Sequence, residues 1–336
     1  MGSTDLGKKA MKVYRRLSKQ EPWCFHPSFL ESWYNENIKD GSKAYRGLCT
    51  SAANYLENEL TFSLLSIDEI VVGGSLGKGT FVKDQSDIDL FVFMNWDSID
   101  TIGAMRYKIQ LKEGQRDVED ILEGIDGVTG VRSDDFVVHF NLEYNNLDYR
   151  VDLLLTADNS HDGDREEMME AIMRKSEKNR EYYSACLEKQ RQLFIKSQPS
   201  YIKELIRLVK TWANDALQRQ LKKSYFLELL TVHLWEEAQE PARFDKAQGL
   251  KDVLRRLADL RSIQIVYWCD EEDVDEALSQ LNMKIPIILD PTNPMNNVCK
   301  FLENENIRKT ISGAARATLK TTLCKDVTVY EDWSSH

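Results

Sequence analysis

With 336 residues, 42% hydrophobic and 29% charged, the chain can bury a substantial core and is long enough for two lobes. No apolar run approaches the roughly 20 residues a membrane helix needs, and the basic, amphipathic start has no signal-peptide core, so a cytoplasmic protein without membrane attachment is expected. The net charge of −11 argues against a general nucleic-acid binder, yet residues 1–50 hold nine Lys or Arg against five Asp or Glu, and residues 174–223 hold thirteen against five. Such segregation predicts local attraction to a polyanion on an acidic whole. The six cysteines stand singly with no CxxC pair, which favours reduced thiols over a disulfide framework or zinc module.

In chain order, Leu6, Ala10, Val13 and Leu17 predict an amphipathic helix over 6–19, with Lys8, Lys12, Arg15 and Lys19 repeating the same spacing on the opposite side. A second helix is predicted over 43–60. Strands follow at 69–72 and 87–94, separated by a glycine-rich turn. A hairpin over 136–155, turning at Asn145-Asn146, sets Leu147, Tyr149, Val151, Leu153 and Leu155 on one face and Asp148, Arg150 and Asp152 on the other. The polar run DNSHDGD (158–164) marks a lobe boundary, and helices are predicted beyond it at 165–196, 202–218, 225–238 and 247–260. Lys203, Arg207 and Lys210 line one edge of the 202–218 helix, beside a broad apolar face.

The glycine turn, VVGGSLGKGTFVKDQSDIDLFVF (71–93), fits neither G-x-x-x-x-G-K-[ST] nor G-x-G-x-x-G, because its glycines fall at 73, 74, 77 and 79. What remains is a small-residue turn, Gly74-Ser75, followed by a strand with Asp87 and Asp89 on one face. At about 6–7 Å and an effective dielectric of about 20, two such carboxylates repel by about 2.5 kcal/mol, so the pair invites a divalent cation. Oxygen-only ligands point to Mg²⁺, and Asp152 from the hairpin completes a site for two ions suited to in-line attack on phosphorus. With metal ions activating the nucleophile no histidine base is needed, and none of the five histidines is expected near these motifs.

GGSLGKGTFVKDQSDIDLFVF, together with LIRLVKTWANDALQ…KSYFLELLTVHLWEEA (205–238) and IPIILDPTNPMNNV (285–298), resembles the nucleotidyltransferase fold in its 2′-5′-oligoadenylate synthetase version, a family of double-stranded-RNA sensors. The resemblance runs over most of residues 40–335. It implies an α/β bilobal fold, with a twisted mixed-sheet catalytic lobe and N-terminal helices over 1–158. A helical lobe over 159–336 follows, a return of its last residues to the first lobe being left open. It implies Asp87, Asp89 and Asp152 as the catalytic ligands of two Mg²⁺ ions, Gly74, Ser75 and Lys78 at the triphosphate, and Arg207, Lys210, Ser224 and Tyr225 as nucleotide-binding residues.

The implied activity is template-independent synthesis of 2′-5′-linked oligoadenylates from ATP in innate immune sensing. Double-stranded RNA would switch it on by docking along Lys8, Lys12, Arg15, Lys19, Lys43, Arg46, Lys196 and Lys203, with a monomer as the expected state. Two positions depart from the family: Ser224 stands where a nucleotide-contacting Gln is typical, and Asp84-Gln85 replaces a Gly-basic pair. The alternatives are a cyclic dinucleotide synthase of the same superfamily and a catalytically silent RNA-binding pseudo-nucleotidyltransferase, against which the complete aspartate set argues.

Overall fold

A 22-residue helix, α1 (Asp40–Thr61), lays Ala52, Ala53 and Leu56 against the first lobe's sheet. That sheet is built from β1 (Ile67–Val72), β2 (Ile88–Met94), β3 (Val128–Ser133), β4 (Val137–Tyr144) and β5 (Leu147–Ala157), in the order β1-β2-β5-β4-β3. Only β2 and β5 run parallel, so the sheet is mixed. These elements come from a computed structural model that describes residues 22–62, 66–83, 86–157, 165–281 and 284–334. The expected helix over 6–19, with Lys8, Lys12, Arg15 and Lys19, lies outside the described residues, as do Asp84, Gln85 and the stretch 158–164.

Strand β2 is central and covered on both sides. Ile88, Leu90, Val92 and Met94 join the core beneath α1, whereas Phe91 and Phe93 join a second cluster on the opposite face, the face that carries Asp89. A 20-residue helix that no sequence signal marked, α2 (Ala104–Glu123), closes the first face. Its buried stripe of Tyr107, Leu111, Val118 and Leu122 is completed by Gly114 and Gln115, which dilute the apolar period. Gly114 is needed there, since a Cβ would lie 2.3 Å from Trp96. The hairpin turns at Asn145 and Asn146, at φ 53° and 61°, the left-handed pair that suits a two-residue connection. This turn sets the register of β4 on β5, and so which residues share the site.

The helical part contains α3 (Glu188–Ser197), α4 (Ser200–Ala216), α5 (Ser224–Glu237), α6 (Lys246–Ala258) and α7 (Glu305–Thr318). A small sheet, β6 (Ile265–Val266), β7 (Ile287–Asp290) and β8 (Asn293–Asn297), adjoins them. The continuous helix expected over 165–196 is broken into Arg165–Met173, Glu177–Arg180 and Glu188–Ser197. Arg180 stabilises the first break by donating to the carbonyls of Ile172 (3.1 Å) and Met173 (2.9 Å), groups that a helix end leaves unpaired. Trp23, Leu30, Tyr34 and Ile38 belong to the helical core although they precede α1. Near the end of the described chain, Leu323, Cys324 and Trp333 join this same core: Trp333 is buried, touches Phe244 and donates to Asp252 (3.1 Å).

Candidate active site

The stretch Gly73-Gly74-Ser75 leaves β1 and enters a single helical turn, Gly74–Lys78, over the start of β2. The turn lies so close to the strand that a Cβ on Gly74 would sit 1.7 Å from Asp89 Oδ2, and Gly74 has φ +54°, a region where glycine carries no steric cost. Gly73 N–H donates to the Asp89 carbonyl (2.8 Å) and Gly74 N–H to Glu188 Oε1 (2.9 Å), so α3 buttresses the turn from behind.

Asp89 on β2 pairs in register with Asp152 on β5, and Asp152 pairs with His139 on β4. The three side chains form a row across adjacent strands, about 4.8 Å from one to the next. His139 corrects the expectation that no histidine lies near the aspartates: its Nδ1 is 2.7 Å from Asp152 Oδ1 and its Nε2 is 3.2 Å from Asp134 Oδ2. Burial acts to lower the His139 pKa, but the bonds to Asp152 and Asp134 outweigh it and raise the pKa above the ordinary value. Asp87 sits just before β2, with Arg150 at 2.7 Å and Arg219 at 3.3 Å.

A cavity of about 340 Å³ opens at the Asp89 end of this row, and Gly74, Ser75, Lys78, Asp87, Asp89, Lys210, Ser224 and Tyr225 all line it, whereas Asp152 and His139 stand beside Asp89 outside the lining. Its wall is cationic. Lys78 and Lys210 are both buried and share the single carboxylate of Glu228, at 3.7 and 3.3 Å, while Thr80 Oγ1 donates to Glu228 (2.6 Å). Burial pushes Lys210 below its ordinary pKa; the same burial would raise Glu228, but the two lysines outweigh it and hold Glu228 low. Two buried lysines share one hydrogen-bonded carboxylate and face Asp89 across the cavity, so this wall is cationic and suits a phosphate.

Tyr225 is fixed from the far side. Its hydroxyl donates to the buried Asp290 (2.9 Å), which also accepts from Arg191 Nε (2.9 Å) and from Thr292 N–H (3.0 Å), and Lys78 Nζ lies 4.4 Å from the ring centroid. Arg207 lies apart from the cavity lining. It donates to Tyr34 (3.0 Å) and to the Gly79 carbonyl (2.7 Å), clamping the end of the glycine turn to the segment before α1. Lys43 and Arg46 are exposed on α1, and Lys196 and Lys203 lie on the neighbouring helical part, where Lys203 donates to the Lys196 carbonyl (2.7 Å). Sequence reasoning did not single out Glu188, Glu228, Asp290, Arg219 or His139 for the site, and it placed Arg150 only on the polar face of its strand. Only the register of the Asn145-Asn146 hairpin could have pointed to one of them, His139.

Among the described residues, no three His, Cys, Asp or Glu side chains converge as a metal ligand set. Asp87 is drawn to its arginines and Asp152 to His139. Asp89 is the exception, with no hydrogen bond to its carboxylate among the described residues. Burial, with Asp152, Glu188 and Asp87 adding to it, pushes its pKa up to about 7. A half-buried carboxylate without a hydrogen bond, beside a second one in register, fits an oxygen-ligated divalent cation, and Arg150 and Arg219 balance the charge of Asp87 alongside it.

A nucleotidyltransferase domain matches residues 55–247, and the chain shares its fold with solved enzymes of that class. The E. coli CdnC:HORMA-deltaN complex aligns with a TM-score of 0.58 at 17% identity, covering 89% of this chain and 91% of that one. Cid1, titled for RNA terminal uridylyl transferase activity, aligns at 0.59 and 14%, covering 92% and 97%. The family described as 2′-5′-oligoadenylate synthetase 1, domain 2, C-terminus, matches residues 164–336. The 2′-5′-oligoadenylate synthase 1A of Mus musculus is 30% identical over 259 residues, 69% of this chain and 70% of its own. The Homo sapiens 2′-5′-oligoadenylate synthase 2 is 31% identical over 264 residues, 68% of this chain and 36% of its own. The chain is a nucleotidyltransferase, and it belongs to the 2′-5′-oligoadenylate synthetase family.

Proposed function

We propose that this enzyme joins AMP units from ATP onto the 2′-hydroxyl of an adenylate acceptor, without a template, when double-stranded RNA is bound. The carrying observation is the juxtaposition, in one cavity, of Asp87 and Asp89 with the Lys78–Lys210 wall, with Asp152 in register beside Asp89 on the next strand. In the reaction the acceptor 2′-oxygen forms a bond to the α-phosphorus as the bond from that phosphorus to the α,β-bridging oxygen breaks. Pyrophosphate leaves, and the hydroxyl proton passes to solvent. Two Mg²⁺ ions held by Asp87, Asp89 and Asp152 would activate the hydroxyl and offset the developing charge. Ser75 offers its backbone N–H and hydroxyl to the phosphates, Gly74 lets the turn approach closely while its own N–H is held by Glu188, and Lys78 and Lys210 supply the charge that holds the phosphates. Ser224 and Tyr225 line the nucleotide side. Arg207 acts through the Gly79 carbonyl, holding the turn rather than touching nucleotide.

Support for RNA activation comes from the cations on the outer surface. Burial lowers the Lys203 pKa, and repulsion from Arg207, Arg46 and Lys196 lowers it further, a cluster of like charge that a phosphate backbone would relieve. Phosphate contacts carry no sequence information, so duplexes of any sequence should serve. Among the described residues no helix is long and apolar enough to cross a membrane. The reading takes a monomeric enzyme in the cytoplasm, in antiviral RNA sensing, with a catalytic lobe that runs from α1 to about residue 158 and a helical lobe after it that also takes in Trp23, Leu30, Tyr34 and Ile38.

The test is incubation with ATP, GTP and Mg²⁺, with and without double-stranded RNA, followed by mass analysis after digestion with a 3′-5′-specific nuclease. Nuclease-resistant oligoadenylates that need RNA are expected. A cyclic dinucleotide would move the chain to the other product class.

A further inference from the structure

We propose that His139 is a positioning residue that holds Asp152 to a single ligating oxygen and thereby sets the affinity and selectivity of the metal site. The proposal rests on the reading above that Asp152 is a ligand. Three observations carry it. His139 is in register with Asp152 on the adjacent strand, and its Nδ1 lies 2.7 Å from Asp152 Oδ1. The ring is itself tethered, with Nε2 3.2 Å from Asp134 Oδ2. Asp134 is in turn pinned, because its Oδ1 accepts from the backbone N–H groups of Phe136 and Val137, both at 2.8 Å. The chain of contacts therefore runs from rigid backbone through Asp134 and His139 to Asp152.

With Oδ1 held by the imidazole, Oδ2 is the Asp152 oxygen without a protein hydrogen bond among the described residues, which favours ligation through Oδ2 over bidentate ligation. A carboxylate limited to one oxygen suits a small octahedral ion such as Mg²⁺ or Mn²⁺, whereas Ca²⁺ makes frequent use of bidentate carboxylates. Hydrogen-bond partners behind a metal ligand change metal affinity about 10- to 100-fold when removed. Released from His139, Asp152 would be free to rotate and to offer both oxygens. Affinity for Mn²⁺ should then fall by at least about 10-fold, while Ca²⁺ binding holds or improves.

The experiment is a Mn²⁺ titration of the nucleotide-free full chain, reading free Mn²⁺ by its electron paramagnetic resonance signal, with Ca²⁺ as competitor. The proteins are the parent, His139→Gln, His139→Asn and Asp152→Asn. Asparagine can place its amide nitrogen near the Nδ1 position and keep the bond to Asp152, whereas glutamine reaches the Nε2 position and loses it. His139→Gln should weaken Mn²⁺ by about 10- to 100-fold and lower the Mn²⁺/Ca²⁺ preference, and His139→Asn should restore most of both. Parent-like binding in His139→Gln, or equal losses in the two His139 variants, would overturn the proposal. Asp152→Asn separates the two readings: if it binds Mn²⁺ as the parent does, the metal assignment of Asp152 fails. If it loses Mn²⁺ while His139→Gln does not, only the role of His139 fails.

Discussion

Gly74→Ala gives a sharp test of the glycine turn because a second glycine supplies the control. Gly74 (φ +54°) and Gly79 (φ +76°) both occupy the left-handed region, where an alanine costs about 1–2 kcal/mol in backbone conformation. Their surroundings differ. A Cβ at Gly79 meets nothing nearer than Lys203 Cδ at 3.9 Å, whereas a Cβ at Gly74 falls 1.7 Å from Asp89 Oδ2 and 2.5 Å from its Cγ. Those atoms cannot coexist, so either the turn or the Asp89 carboxylate must shift by the order of 1 Å. A displacement of that size at reacting groups costs about 10²-fold in rate, or about 2.7 kcal/mol of transition-state stabilisation. Gly79→Ala should therefore lose about 1–2 kcal/mol in denaturant unfolding from backbone conformation alone, and Gly74→Ala more than that, because Asp89 or the turn must also be displaced. Gly79→Ala should keep activity within several-fold of the parent, and Gly74→Ala should lose about 100-fold in kcat/KM per folded molecule. Equal activities in the two variants would refute the claim that the turn's approach to Asp89 shapes the site.

Asp152→Asn keeps the shape but removes a ligand charge, so turnover should collapse while the far-ultraviolet circular dichroism spectrum and duplex affinity stay as in the parent; retained turnover would shift the third ligand elsewhere. Glu228→Gln leaves Lys78 and Lys210 without their shared counter-charge and should destabilise the fold by about 3–5 kcal/mol. Added tripolyphosphate should then raise the melting temperature more in this variant than in the parent. For Asp89 the folded-state pKa of about 7 lies above the unfolded value, so between roughly pH 4 and 7 the folded state holds the extra proton. Stability of the metal-free protein should thus fall as pH rises through that window, and Asp89→Asn should remove the slope in calorimetry. Lys196→Glu combined with Lys203→Glu should flatten the slope of log duplex affinity against log salt by about one to two units in fluorescence anisotropy, at about 0.7–0.9 for each phosphate no longer neutralised.

The local signals in the sequence were strong where periodicity and turn chemistry act within a few residues. The alternation of Tyr149, Val151, Leu153 and Leu155 marked β5, and Asn145-Asn146 marked its hairpin. The bounds of α4, α5 and α6 fell within about two residues of expectation, as did the end of α1, whose helical path begins earlier than expected and runs on from Leu30 through Asn35–Lys39. Helix α2 was hidden because Gly114 and Gln115 occupy its buried face. The 165–196 stretch broke because Arg180 satisfies carbonyls of the preceding turn, an interaction that no helical period reveals. At the site, the small-residue turn and the two strand aspartates could be read directly. The partners that orient them could not. Glu188 meets Gly74 across 114 positions, Glu228 meets Thr80 across 148, and Arg191 meets Asp290 across 99. His139 is only 13 residues from Asp152, and there the hairpin register, carried strand to strand, would have sufficed.

The central claim is that the cavity at Asp87 and Asp89, with Asp152 beside it, transfers nucleotidyl groups and that the cationic surface around Lys203 governs it. Pyrophosphate release from ATP, followed continuously with and without an arbitrary-sequence RNA duplex, tests both parts together. The account predicts duplex-dependent release in the parent, loss of release in Asp152→Asn with duplex binding intact, and loss of the duplex dependence in the Lys196→Glu, Lys203→Glu pair. Release that proceeds equally without duplex, or that survives Asp152→Asn, would contradict it.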